Sequence, residues 1–79
     1  MSLDQKLNIA ILGASESGVG AAILALQKGH EVFVSDKGQI KEQYKTELNQ
    51  QGIAFEEGSH DHERILAADL IIKSPGIPD

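Results

Sequence analysis

The 79-residue chain contains no cysteine and no tryptophan, and only 4% of its residues are aromatic. The absence of cysteine excludes disulfides, thiolate metal sites and thiol catalysis, and it fits a reducing compartment such as the cytoplasm. Lys and Arg number 7 against 12 Asp and Glu, which gives a net charge of −5. Because cations are so few, neither nucleic acid nor an anionic membrane surface is predicted as a partner.

Long hydrophobic runs are also missing, so the sequence predicts no segment that spans a bilayer. Hydrophobic residues still make up 41% of the chain, which indicates a globular domain rather than disorder. A length of 79 residues allows only a modest core.

Four short apolar stretches alternate with three helical patterns along the chain. The predicted strands are residues 7–12, 31–35, 53–56 and 69–73. The predicted helices are residues 17–28 and 39–51, and a short third helix that is capped by Ser59 or Asp61 and runs through Ala67. This β-α-β-α-β-α-β order predicts an α/β fold with a Rossmann-like, doubly wound parallel sheet of about four strands. Since such a sheet normally continues, we expect the chain to be truncated before a last helix and strand.

The stretch ILGASESGVG, residues 11–20, joins the first strand to the first helix through a glycine-rich turn. Gly13 allows a tight turn, and Gly18 lets the helix start close to the strand. The helix N-terminus carries a partial positive charge that stabilises an anion such as a phosphate. Ser15 replaces the middle glycine of the dinucleotide fingerprint, and Glu16 suits a phosphate site only if its side chain points to solvent. The alternative is an ordinary turn with a serine N-cap.

Three segments are predicted to meet beyond the carboxyl ends of the strands, where doubly wound sheets bind ligands. They are the loop 13–18, Asp36 with Lys37, and residues 74–76. Ser17 offers a hydroxyl and a backbone N–H, and Asp36 follows the loop near the ~20-residue spacing of a nucleoside-binding acid. Alternatively, Asp36 caps the next turn. Replacing Asp36 with alanine is expected to weaken ligand binding by ~1–3 kcal/mol and to affect folding little.

A cluster of His60, Asp61, His62 and Glu63 raises the hypothesis of a metal site. Residues two apart at a helix start do not face each other, so the two histidines are poorly placed to share an ion. A solvated first helical turn, capped by Ser59 or Asp61, is favoured instead. No metal ligand and no catalytic residue is predicted, and the chain lacks the P-loop motif for ATP.

Three stretches together resemble the N-terminal domain of the Mur ligases, the ATP-dependent amide ligases that build the peptide of bacterial peptidoglycan. They are ILGASESGVGAAILALQKGHEVFVSD at residues 11–36, LNQQGIAFEEGSH at residues 48–60 and AADLIIKSPGIP at residues 67–78. The S-P-G-I-P ending is most similar to the D-glutamate-adding members, which act on UDP-N-acetylmuramoyl-L-alanine. The resemblance covers nearly the whole chain.

The resemblance implies that residues 1–79 form the N-terminal UDP-substrate-binding domain of a cytoplasmic ligase. ATP and magnesium would bind a central domain outside this chain, and no cofactor is expected within it. Asp36 and Lys37 match a pair beside the uridine, Glu16 would act through its backbone N–H, and Gly76 matches a backbone donor to a phosphate. The implied substrate-binding residues are Ser15, Glu16, Ser17, Gly18, Asp36, Lys37 and Gly76.

Two other functions stay open. One is a NAD- or FAD-binding domain of an oxidoreductase, which Ser15 disfavours because the fingerprint glycine lets a pyrophosphate approach the backbone. The other is a ligand-sensing regulatory module, which the unfinished sheet disfavours. Ile71 and Ile72 lie in the last predicted strand, and an unpaired apolar edge there is expected to favour self-association.

Overall fold

A computed structural model describes residues 6–73, in which strands and helices alternate strictly. The strands are β1 (Asn8–Leu12), β2 (Glu31–Asp36), β3 (Ala54–Glu57) and β4 (Leu70–Lys73), and the helices are α1 (Glu16–Gln27), α2 (Glu42–Gln51) and α3 (His62–Leu66). This order confirms the predicted alternation. No helix in this part of the chain is long and apolar enough to cross a membrane.

The four strands form one parallel sheet in the order β3-β2-β1-β4. The chain moves outward from β1 to β2 and β3, and then returns to the other side of β1 with β4. Because parallel crossovers are right-handed, this reversal places α1 and α2 on one face of the sheet and α3 on the other. The sheet therefore has the predicted Rossmann-like, doubly wound arrangement, and its switch point lies between the carboxyl ends of β1 and β4.

The larger core lies between the sheet and the pair α1 and α2. Ile9, Ile11 and Val34 point to this face from the two central strands, and Leu48 meets them from α2. All four are buried, and burying a side chain of this size contributes roughly 1.5–3 kcal/mol. The small side chain of Ala22 is also fully buried, which allows α1 to lie close to the sheet.

The opposite face carries a smaller cluster around α3. Ala10, Phe33 and Ile65 are buried together, and the Arg64 guanidinium lies 4.0 Å from the centre of the Phe33 ring. Because α3 has only five residues, it covers the middle of the sheet and not the side near β4. Ile71 of β4 is 42% exposed as a result.

The second helix begins later than its apolar pattern predicts. The predicted range is 39–51, whereas α2 begins at Glu42 and follows an extended Lys41. Ile40 is buried, and its N–H donates to the Glu57 carboxylate at 2.9 Å. These contacts hold Ile40 against the sheet in the segment before Lys41, whose extended backbone (φ −62°, ψ 145°) precedes the first residue of α2.

Candidate functional site

The glycine-rich turn after β1 is hydrogen-bonded to the end of β2. Gly13 has a φ of 103°, in the left-handed region that favours glycine. Its N–H donates to the Ser35 carbonyl at 2.8 Å, and the N–H of Ala14 donates to the Asp36 carboxylate at 2.8 Å. These two bonds set the path of the turn before α1 begins.

Ser15 is the N-cap of α1. Its hydroxyl accepts a hydrogen bond from the Gly18 N–H at 3.4 Å, and its carbonyl accepts one from the Val19 N–H at 2.9 Å. A serine N-cap satisfies an N–H group that the helix itself leaves without an acceptor. This contact gives a physical reason for a serine where the dinucleotide fingerprint has glycine, and it agrees with the N-cap interpretation of the turn.

Glu16 and Ser17 form the first turn of α1 and are both exposed, whereas Gly18 is buried. The backbone N–H groups of a first helical turn have no intrahelical acceptor, and the helix dipole adds positive potential there. The exposed position of Glu16 leaves its carboxylate room to extend into solvent. The first turn of α1 therefore offers backbone donors to an anion beside the switch point.

Asp36 joins two loops instead of standing solvated at a strand end. One carboxylate oxygen accepts from the Ala14 N–H and the other accepts from the Gly38 N–H, each at 2.8 Å. Asp36 thus caps the turn after β2, as the alternative interpretation holds, and also braces the turn after β1. Because a carboxylate has about four acceptor positions, both oxygens keep capacity for a further donor.

The loop after β2 is also bonded to the end of β3. The Gly58 N–H donates to the Gly38 carbonyl at 2.9 Å, and the Glu57 carboxylate accepts from the Ile40 N–H at 2.9 Å and pairs with the Lys45 ammonium at 2.7 Å. The Lys45 hydrogen bond, followed by that of the Ile40 N–H, lowers the pKa of Glu57. Sequence reasoning missed this arrangement, because no local pattern links Glu57 to Lys45.

A buried polar network lies next to this loop. Ser35 is fully buried, and its hydroxyl oxygen lies 2.7 Å from a Glu56 carboxylate oxygen and 2.6 Å from His60 Nδ1. The Ser35 hydroxyl donates to Glu56, and because this uses its one hydrogen, we assign His60 the tautomer whose Nδ1–H donates to the Ser35 oxygen. No substrate can reach this serine. The network is therefore a brace between β2 and the loop after β3, and not a nucleophile with its base.

The same network corrects the interpretation of one residue of the histidine cluster, whereas Asp61, His62 and Glu63 are exposed at the start of α3, as expected. His60 precedes α3 and is hydrogen-bonded to Ser35, so it does not belong to a solvated first helical turn. Asp61 caps α3 by accepting from the Arg64 N–H at 3.2 Å, which selects it over Ser59. Within residues 6–73, no three His, Asp or Glu side chains are grouped so that they could hold a metal ion.

Most of the predicted site residues lie at one edge of the sheet. Lys37 is exposed directly after Asp36, and the bond from Ala14 to Asp36 links this position to the first turn of α1. The residues brought together are Ser15, Glu16, Ser17, Gly18, Asp36 and Lys37. Gly76 lies outside the described residues, so its predicted place at the same edge stays a prediction.

Comparisons with known proteins show which family the sequence of this chain resembles. The sequence model of the MurD N-terminal domain family matches residues 6–79. Three curated relatives are each named UDP-N-acetylmuramoylalanine–D-glutamate ligase: those of Cytophaga hutchinsonii, 59% identical over 71 residues, Porphyromonas gingivalis, 61% over 74, and Bacteroides thetaiotaomicron, 61% over 71. The alignments cover 90%, 94% and 90% of this chain, but the chain spans only 16% of each relative.

Proposed function

This chain belongs to the MurD N-terminal domain family, and we propose that it binds the UDP end of UDP-N-acetylmuramoyl-L-alanine. The observation that carries the proposal is the bond between the Ala14 N–H and Asp36, which unites a helix N-terminus and a strand-end carboxylate beside the switch point. An anion donor site and a nucleoside acceptor are the two features that a nucleoside diphosphate requires. Neither the family match nor these relatives favour an oxidoreductase or a regulatory module.

The roles of the residues follow from their chemistry. The diphosphate would lie at the first turn of α1 and accept hydrogen bonds from the N–H groups of Glu16 and Ser17 and from the Ser17 hydroxyl. The free acceptor positions of Asp36 would take hydrogen bonds from the uracil N–H or a ribose hydroxyl. Lys37 would add a cation beside the nucleotide, and Gly76 a further backbone donor.

In the proposed function, residues 1–79 are the substrate-binding part of a longer cytoplasmic ligase that adds D-glutamate during peptidoglycan synthesis. ATP and magnesium would supply the activation of the substrate carboxylate in a domain outside this chain, since the sequence has no P-loop motif. The chain's own residues would bind and orient the nucleotide. The 79-residue chain by itself is therefore expected to show no ligase activity.

Nuclear magnetic resonance titration tests the choice of ligand. UDP added to the isotope-labelled chain should shift the amide signals of Ser17, Asp36 and Gly76, because these residues are proposed to surround the nucleotide. NAD should not shift these signals, because the Ser15 side chain stands where its pyrophosphate would need to approach the backbone. Equal or larger shifts with NAD would contradict the UDP assignment. Signals from α3, on the other face of the sheet, serve as an internal control.

A further inference from the structure

We propose that Glu57 and Lys45 form a positioning pair, which holds the loop of residues 36–40 in the conformation that binds the nucleoside. The pair itself does not touch the ligand. The inference rests on the proposed function of that loop. Sequence position alone does not suggest it, because Glu57 ends β3 and Lys45 lies within α2.

The two oxygens of Glu57 have separate partners. Oε2 lies 2.7 Å from the Lys45 ammonium, and Oε1 accepts the Ile40 N–H at 2.9 Å. The carboxylate therefore links the side chain of a helix to the backbone of the loop. The buried side chain of Ile40 anchors the same residue in the core, so Ile40 is held by an apolar contact and a polar one.

The loop of residues 36–40 also has hydrogen bonds to the strands on either side of it. On the β3 side, the Gly58 N–H donates to the Gly38 carbonyl at 2.9 Å, next to the Glu57 contact. On the β1 side, Asp36 accepts from the Gly38 N–H and from the Ala14 N–H. Lys37 lies between these attachments and is itself exposed. A change at Glu57 should therefore reach Asp36 through Gly38.

The pair is more shielded than an ordinary surface ion pair. The side chains of Lys45 and Glu57 are 24% and 34% exposed, whereas those of the Lys6–Glu31 pair are 60% and 64% exposed at a longer 3.4 Å. Exposed pairs contribute little because solvent screens them and their side chains lose entropy on pairing. Lys6–Glu31 joins the segment just before β1 to the start of β2, away from the carboxyl edge, and is a matched control.

Three substitutions separate the contributions of the pair. Glu57→Ala removes both contacts, and Glu57→Gln keeps an acceptor for the Ile40 N–H but removes the charge. Lys45→Met leaves the Ile40 contact in place and removes the pair with Glu57, together with the longer 3.3 Å pair between Lys45 and the exposed Glu42. Glu31→Gln breaks the control pair. Two quantities are measured on the 79-residue chain: affinity for UDP by calorimetry well below the melting temperature, and amide hydrogen exchange without ligand.

The expected order of effects is specific. Glu57→Ala should weaken UDP binding ~10-fold and should accelerate exchange at Gly38 and Ile40. Glu57→Gln and Lys45→Met should show smaller losses, and Glu31→Gln none. A merely structural role would lower the melting temperature but leave the UDP affinity and the loop exchange unchanged.

Two failures are distinguishable. If the unsubstituted chain binds UDP and Glu57→Ala binds it equally well, the positioning role is wrong while the proposed function stands. If the unsubstituted chain does not bind UDP, the proposed function fails. The exchange measurement then still decides on the pair, because unchanged protection of Gly38 and Ile40 in Glu57→Ala would overturn it.

Discussion

Replacing Asp36 with alanine should destabilise the fold, contrary to the expectation from the sequence that folding is little affected. The substitution removes the acceptors of two backbone N–H groups. Ala14 is 4% exposed, so its N–H would be left without a partner in a place that water barely reaches. Gly38 is exposed, so its N–H can turn to water at little cost.

The magnitude follows from this difference. Leaving one buried donor unsatisfied costs about 1–3 kcal/mol, so a loss of ~2 kcal/mol is expected for Asp36→Ala. For a domain of this size, that corresponds to a fall of roughly 8–16 °C in the melting temperature. Asp36→Asn should cost less than ~1 kcal/mol, because its amide oxygen can still accept from the Ala14 N–H while its amide nitrogen faces the exposed Gly38.

Thermal and denaturant unfolding followed by circular dichroism measures these losses. Asp69→Ala is the matched control: Asp69 also accepts a backbone N–H, that of Asn8 at 2.8 Å, but both residues are exposed. Its loss should be clearly smaller than that of Asp36→Ala. If the two alanine variants unfold together, or if Asp36→Ala lies within ~0.5 kcal/mol of the unsubstituted chain, the bracing role of Asp36 is wrong.

Three further predictions concern pH, a helix glycine and the sheet edge. Because the pKa of Glu57 is lowered and that of Lys45 is raised, the pair's stabilisation is present above the ordinary value of 4.5 and below that of 10.5. This stabilisation is lost as pH falls through the folded pKa of Glu57 or rises through that of Lys45. The difference in unfolding free energy between the unsubstituted chain and Glu57→Gln should therefore vanish at low pH and at high pH. A difference that does not change with pH would contradict this. Gly20→Ala should raise the free energy of unfolding by ~0.5–1 kcal/mol, since Gly20 is exposed in α1 and a Cβ there meets nothing within 4 Å. Gly13→Ala should lower the free energy of unfolding, because Gly13 has a φ of 103° that alanine disfavours. Denaturant unfolding that ranks the two variants the other way would refute the argument. The apolar edge strand β4 should make the 79-residue chain self-associate, and Ile71→Lys should reduce this in sedimentation; a chain that stays monomeric at high concentration would contradict it.

The sequence by itself determined the elements and their order. Strand and helix patterns depend on neighbours a few positions apart, so the alternation, and the strand ends to within one residue, could be predicted. Gly52 ends α2 with a φ of 73° for the same local reason. Alternation with short connections then leaves a doubly wound parallel sheet as the expected arrangement, and the turn after β1 as the expected site.

Only the tertiary structure decided which polar groups meet at that site. Ala14, which bonds to Asp36, and Lys45, which pairs with Glu57, lie far along the chain from their partners, and the fold brings them together. The buried side chain of Ile40 and its hydrogen bond to Glu57 hold this residue beside the sheet, in a segment before α2 that the local pattern had predicted to be helical. His60 likewise lies within hydrogen-bond distance of the buried Ser35 hydroxyl, a contact that the sequence around His60 does not predict. Hydrogen bonds and ion pairs act over a few ångströms in space, so residues far apart along the chain show no local pattern that predicts them.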